Sequence, residues 1–293
     1  MNIKQIKQLF VCIALAALTL SSTRIASGAD KFDQHMRSCN LYYKQHALNE
    51  ASYEARAAVA ERPDSYEARY HLGLILSELG QYDESILTLF EALRCNPKNM
   101  EIRFSLGNIL MKKDSWDEAG SQFRQILDTN KKDIAARGNL GICLEELNCY
   151  DVAAEQFRMI IKESPNTPEA HYNLAVCLEV QKAYDESALE YRKTISLQPN
   201  HFLAYVGLGK CLLWKGDARS AIAVERRAIE LFPQNYWAFL ALGAALEKTG
   251  ETTKAADSYR KAIQINPKDP ACKAALAHLL DTRVAEKSGT IPN

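Results

Sequence analysis

Eight cysteines and six histidines are the residues of this chain with the widest chemical range. Thiolates and imidazoles can hold a metal, attack a carbonyl or carry a proton. Cys12 lies in an apolar N-terminal run, which leaves seven cysteines, an odd number for complete pairing. Cys143, Cys177 and Cys211 recur at steps of 34 residues, and Ile75, Ile109 and Ala245 hold the same register elsewhere. They therefore read as small apolar core residues. Packed helices lie about 8–10 Å apart, beyond the ~7 Å Cα reach of a disulfide. His35 and Cys39 stand one helical turn apart and could share a metal, but two further ligands are not evident, so packing is the better reading. Cys95, Cys149 and Cys272 fall near segment edges, where a bridge or an intermolecular link stays open. The sequence has no Gly-rich phosphate loop, G-x-S-x-G, H-E-x-x-H or C-x-x-C, and its histidines are scattered. We expect no catalytic residue, no metal and no cofactor.

A fixed period organises the elements that would position any site. Leu-Gly pairs stand at 72–73, 106–107, 140–141, 208–209 and 242–243, with Leu174-Ala175 in register, each step being 34 residues. Pro63, Pro97, Pro165, Pro199, Pro233 and Pro267 keep the same step, with Lys131 in the one gap. The segments are 32–65, 66–99, 100–133, 134–167, 168–201, 202–235 and 236–269. Each reads as two helices. In 66–99, Leu72, Leu76 and Leu79 recur at helical spacing, Gly80-Gln81 interrupts, and Ile86, Leu89, Phe90 and Leu93 resume. The turn residue is Gly80, Asp114, Asn148, Gly216 or Gly250, types that tolerate a left-handed backbone. Ser65, Asn99, Asp133, Thr167, Asn235 and Asp269 are suited to cap the first helices, with His201 the exception. A helical glycine costs roughly 1 kcal/mol relative to alanine, so the recurring Gly73, Gly107, Gly141, Gly209 and Gly243 need a packing reason. We expect close contact inside each hairpin, with Ser85, Ala119, Ala153, Ser187, Ala221 and Ala255 as small partners. A last helix is expected over 270–285, with a flexible tail over 286–293.

Residues 1–29 differ from the rest. Lys4 and Lys7 precede the apolar run 9–20, and small residues around Ala26, Gly28 and Ala29 suit a signal peptidase. The run is shorter than the ~20 residues that span a bilayer. We expect a cleaved secretory signal and a periplasmic or secreted protein, with an uncleaved N-terminal membrane anchor as the alternative. Lys plus Arg equals Asp plus Glu at 36 each, which argues against nucleic acid as a partner. Removing the signal would take three basic residues and no acid, and no membrane insertion is expected afterwards.

The repeating residues resemble the tetratricopeptide repeat (TPR) family, whose 34-residue unit carries W-x2-L-G-x2-Y, then A-x3-F, then P. The likeness is strong over 66–269 and weaker over 32–65, where Cys39 replaces the glycine but Ala51, Ala58 and Pro63 remain. It implies an all-α, right-handed solenoid of helix-turn-helix repeats, a groove lined by first helices and a capping C-terminal helix. The family's tryptophan is replaced by Arg69, Arg103, Arg137 and His171, then by Tyr205 and Phe239. Arginine stems covering apolar surface, with heads in water, is the plain reading. A basic ladder for an acidic ligand is the sharper one.

The resemblance also implies which residues face the groove. These are Phe104 and Asn108, then Tyr172, then Leu203, Val206, Lys210, Leu213 and Trp214, and finally Trp237 and Leu240. Glu145, Glu146, Glu169 and Glu179 make its middle acidic. The tryptophans either anchor a ligand or pack between adjacent repeats. A carboxylate-terminated ligand is disfavoured, since Phe104 and Glu169 stand where basic residues would grip it. The expected function is a non-enzymatic adaptor that holds a peptide or helix of a partner protein. A self-associating scaffold, with a second copy of the chain as partner, or an assembly factor of an envelope complex, is the alternative.

Overall fold

The computed structural model describes residues 31–288, so the expected signal at 1–29 and the end of the tail lie outside the described residues. The described residues form α-helices and no strand. The chain divides into two compact units, with the boundary between Ala136 and Arg137.

In the first unit, α1 (31–44) and α2 (Leu48–Glu61) are followed by α3 (Tyr66–Glu78) and α4 (Tyr82–Cys95). Then come α5 (Met100–Lys112) and α6 (Trp116–Thr129). The boundary falls inside α7 (Ile134–Glu146). The second unit continues with α8 (Tyr150–Glu163), α9 (Pro168–Val180) and α10 (Tyr184–Leu197). After them run α11 (Phe202–Trp214), α12 (Ala218–Leu231), α13 (Tyr236–Lys248) and α14 (Thr252–Ile265). The last helix, α15 (Pro270–Ser288), extends three residues past the 285 expected from sequence.

Every turn inside a hairpin closes in the same way. Gly80, Asp114, Asn148, Gly216 and Gly250 all have positive φ, and so do His46 and Lys182 at the same register. The next residue's N–H reaches five residues back, as from Gln81 to the Leu76 carbonyl and from Ala183 to the Leu178 carbonyl. This is the Schellman closure, which satisfies carbonyls the helix end would leave bare. Caps depart from expectation twice. His201 does cap α11, its Nδ1 accepting from the Ala204 N–H at 3.2 Å. Thr167 does not cap α9 through its side chain, because its hydroxyl donates to the Ser164 carbonyl instead.

The helical glycines have a larger partner than expected. A Cβ on Gly107 would lie 2.7 Å from the Phe123 ring, and one on Gly141 would lie 2.5 Å from Phe157. Leu89 and Tyr259 cover Gly73 and Gly243 in the same way. The bulky residue one turn beyond the small one is therefore what excludes a methyl group. The small residues still matter: Ser85 donates to the Gly73 carbonyl at 2.5 Å, and Ser187 to the Ala175 carbonyl at 2.7 Å.

Candidate functional site

The first helices carry the residues expected to face a ligand. In the second unit α9 packs beside α11, α11 beside α13, and α13 beside α15, so these helices form one face.

The Arg and His residues in the tryptophan register do not reach that face as a ladder. Arg103 donates to Gln122 Oε1 at 3.0 Å and to the Pro97 carbonyl at 2.8 Å. His171 sets Nδ1 against Glu190 Oε2 at 2.5 Å and Nε2 against the Pro165 carbonyl at 2.9 Å. Tyr205 donates to the Pro199 carbonyl at 3.1 Å. Arg69 is buried and pairs with Glu91, and Arg137 bonds Gln156. Each head is thus engaged with the second helix of its own hairpin, the preceding proline carbonyl, or both. These contacts replace the basic ladder, and at Arg69, which is buried, they also replace a head in water.

In the first unit, Phe104 is half-buried and meets Phe123 edge-on at 5.6 Å between centroids. It lines a cavity of about 340 Å3 with Met100, Ser105 and Ile126. Asn108, one turn on, is half-buried as well.

In the second unit the expected residues fall into separate groups. Glu145, Glu146 and Tyr172 line one cavity of about 270 Å3, together with Asn148, Tyr150, Asn173 and Val176. Glu145 accepts from the Cys177 thiol at 3.2 Å, and burial, reinforced by the charge of Glu146 and opposed by that hydrogen bond, pushes its pKa up to about 7. Tyr172 lies against both Tyr191 and His201, at 5.9 and 4.6 Å between centroids. Glu179 accepts from the Tyr191 hydroxyl at 2.8 Å and faces Lys210 at 3.6 Å.

Val206 is half-buried, Leu203 is exposed, and Leu213 and Leu240 pack partly into the core beneath. Trp214 is 70% exposed and stacks on Tyr184, with centroids 6.0 Å apart and rings 8° from parallel. Trp237 is 45% exposed and lies against Tyr236. Trp214 thus packs against the preceding hairpin while staying exposed, whereas Trp237 lies against a neighbour on its own helix. The two indoles do not form one patch, since Trp214 ends α11 and Trp237 is the second residue of α13. Asn148, Tyr150, Asn173 and Val176 were not anticipated. Tyr150 could have been, because it shares the register of Tyr82 and Tyr184 at the start of a second helix.

No disulfide joins cysteines among the described residues. Cys39, Cys143, Cys177, Cys211 and Cys272 are fully buried, and Cys95 and Cys149 are exposed. His35 bonds Glu54 Oε2 at 2.6 Å. No group of three metal-ligating side chains occurs among the described residues, and no described helix is long and apolar enough to cross a membrane.

Tetratricopeptide repeat profiles match residues 104–168, 144–202, 190–236 and 215–270, and a TPR repeat profile matches 73–114. The chain belongs to the tetratricopeptide repeat family, whose members generally mediate protein–protein interactions. Among solved structures it resembles a tetratricopeptide repeat protein from Parabacteroides merdae at 19% identity. That alignment has a TM-score of 0.63 and covers 86% of this chain and 99% of the other. The C-terminal part of a TPR repeat-containing protein from Cytophaga hutchinsonii aligns with a TM-score of 0.68 at 17% identity, over 82% and 99% of the two chains. YrrB, described as a TPR protein with an unusual peptide-binding site, aligns at 0.55 and 19%, over 63% and 95%. At these identities the likeness concerns the fold. No curated protein matches the chain.

Proposed function

We propose that this protein is a non-enzymatic adaptor, exported to the cell envelope, that holds a peptide or helix of a partner against the face of its first helices. The observation that carries this reading is the exposure of Trp214, Trp237 and Leu203 on first helices. Large aromatic groups on such a face are the usual anchors of a bound segment. YrrB, with its peptide-binding site, lends support by fold alone. Export rests on the form of residues 1–29.

Self-association through the last helix has less in its favour. Leu279 is buried and Leu276 packs against the same core, leaving Leu280 as the exposed leucine of α15.

The test is site-specific photo-crosslinking in cells of the source. A crosslinker at Val206, on α11, should capture one discrete partner, whereas one at Leu189, exposed on α10, should not. Capture from Leu189 alone would place binding on the second helices and refute the reading.

A further inference from the structure

At several seams between successive hairpins, a lysine or a histidine of the next hairpin approaches the region where a first helix ends and its second helix begins. A carboxylate at the twelfth position of a first helix meets a base at the ninth position of the next. Glu179 faces Lys210 Nζ at 3.6 Å, and Glu247 faces His278 Nδ1 at 3.6 Å. The second residue of a second helix meets a lysine just past the next first helix, as Asp83 meets Lys113 at 3.1 Å and Asp185 meets Lys215. The tyrosine that opens α4 carries a cation over its ring, with Lys112 Nζ 5.8 Å from the Tyr82 centroid.

All three acceptors recur between the fourth and fifth hairpins, as Glu145, Asp151 and Tyr150. Their partners do not. Val176 stands at the register of Lys210, Gln181 at that of Lys113 and Lys215, and Val180 at that of Lys112. Lys182, in the left-handed turn position beside them, forms no ion pair among the described residues. At this seam the structure has an open cavity of about 270 Å3, into which Glu145, Glu146, Tyr150 and Tyr172 face.

We propose that this cavity receives a lysine or arginine side chain of the partner segment, in the place that the chain's own bases fill at other seams. The proposal rests on the partner-binding reading and supplies the chemistry of the partner. Two carboxylates give a charge-assisted hydrogen bond, and tyrosine faces beside them attract a cation and pack on its alkyl stem. Glu145 is half-buried, so such a pair is less screened than one in open solvent. Burial pushes its pKa up, and a bound ammonium or guanidinium would favour loss of the proton.

The test uses the full chain and a phage-displayed library of random peptides as probe. Selection should fix one lysine or arginine, and replacing a fixed lysine by norleucine in the peptide should weaken binding about tenfold or more. Glu145→Gln should weaken it similarly and remove most of the effect of the norleucine exchange. Val176→Lys, which recreates the contact of Glu179 with Lys210, should fill the cavity from within and compete with the peptide. Circular dichroism checks the fold of both variants. Selected peptides without a fixed basic residue, affinities unmoved by Glu145→Gln, or no selection at all would overturn the proposal. The adaptor reading would survive that result if crosslinking from Val206 still captured a partner, and would fall with it if crosslinking failed too.

Discussion

Glu225 is the residue least at ease in its place. It is fully buried, both carboxylate oxygens lack a hydrogen-bond partner, and burial pushes its pKa up to about 9. It lies over Gly209 at the register that Leu89, Phe123, Phe157 and Tyr259 occupy over their own glycines. An acid whose folded pKa is raised binds a proton that the unfolded chain has released. Stability therefore falls as pH rises from about 4.3, the free glutamate value, toward the folded value. Glu225→Leu should raise stability at pH 7 by roughly 2–4 kcal/mol. The gap from wild type should widen by up to ~1.4 kcal/mol per pH unit between pH 5.5 and 8. Urea unfolding at several pH values measures it, and a gap independent of pH would contradict the assignment. Nothing in residue type announces this burial, since glutamate is ordinarily a surface residue. Only its register, eight residues into a second helix, points inward. The arginines and His171 misled for a related reason. Their acceptors lie six residues back or nineteen or more ahead, where no local pattern reveals them.

At the scale of the element, α7 carries two glycines with opposite surroundings. A Cβ on Gly141 would collide with Phe157 at 2.5 Å, whereas one on Gly138 would meet Ile160 Cδ1 at an ordinary 3.7 Å. Gly141→Ala should destabilise by about 1–3 kcal/mol through overpacking. Gly138→Ala should be neutral or stabilise by up to about 1 kcal/mol through helix propensity. Thermal unfolding of the two variants side by side compares them, and equal shifts would refute the packing account of the repeated glycine. Lys182 supplies a second prediction, because it adopts a φ of 62° at the turn register where Gly80, Gly216 and Gly250 stand. Lys182→Gly should relieve the left-handed backbone and stabilise by about 1 kcal/mol. A lower Tm would show instead that the lysine side chain stabilises the turn. Turns and helix starts were legible in the sequence because each is dictated locally, by a positive φ or a cap, and then repeated. The cap at His201 was missed because an imidazole nitrogen can accept as an oxygen does, though His is not among the usual capping types.

For the whole molecule, the repeat period could be read from proline and glycine alone. The candidate site was only partly legible. First-helix positions put Trp214, Trp237 and the acidic residues on the first-helix face, but the role proposed for the cavity at Glu145 rests on which cations other seams carry. That is a comparison between hairpins rather than a motif. The central claim is that partners bind on the first-helix face. It is tested most directly by crosslinking pull-down from cell-envelope extract with the wild type beside the double variant Trp214→Ala, Trp237→Ala. Both indoles are exposed, Trp214 more so than Trp237, so the variant should keep its helix content by circular dichroism and lose the captured partner. Undiminished capture by the folded double variant would contradict the account.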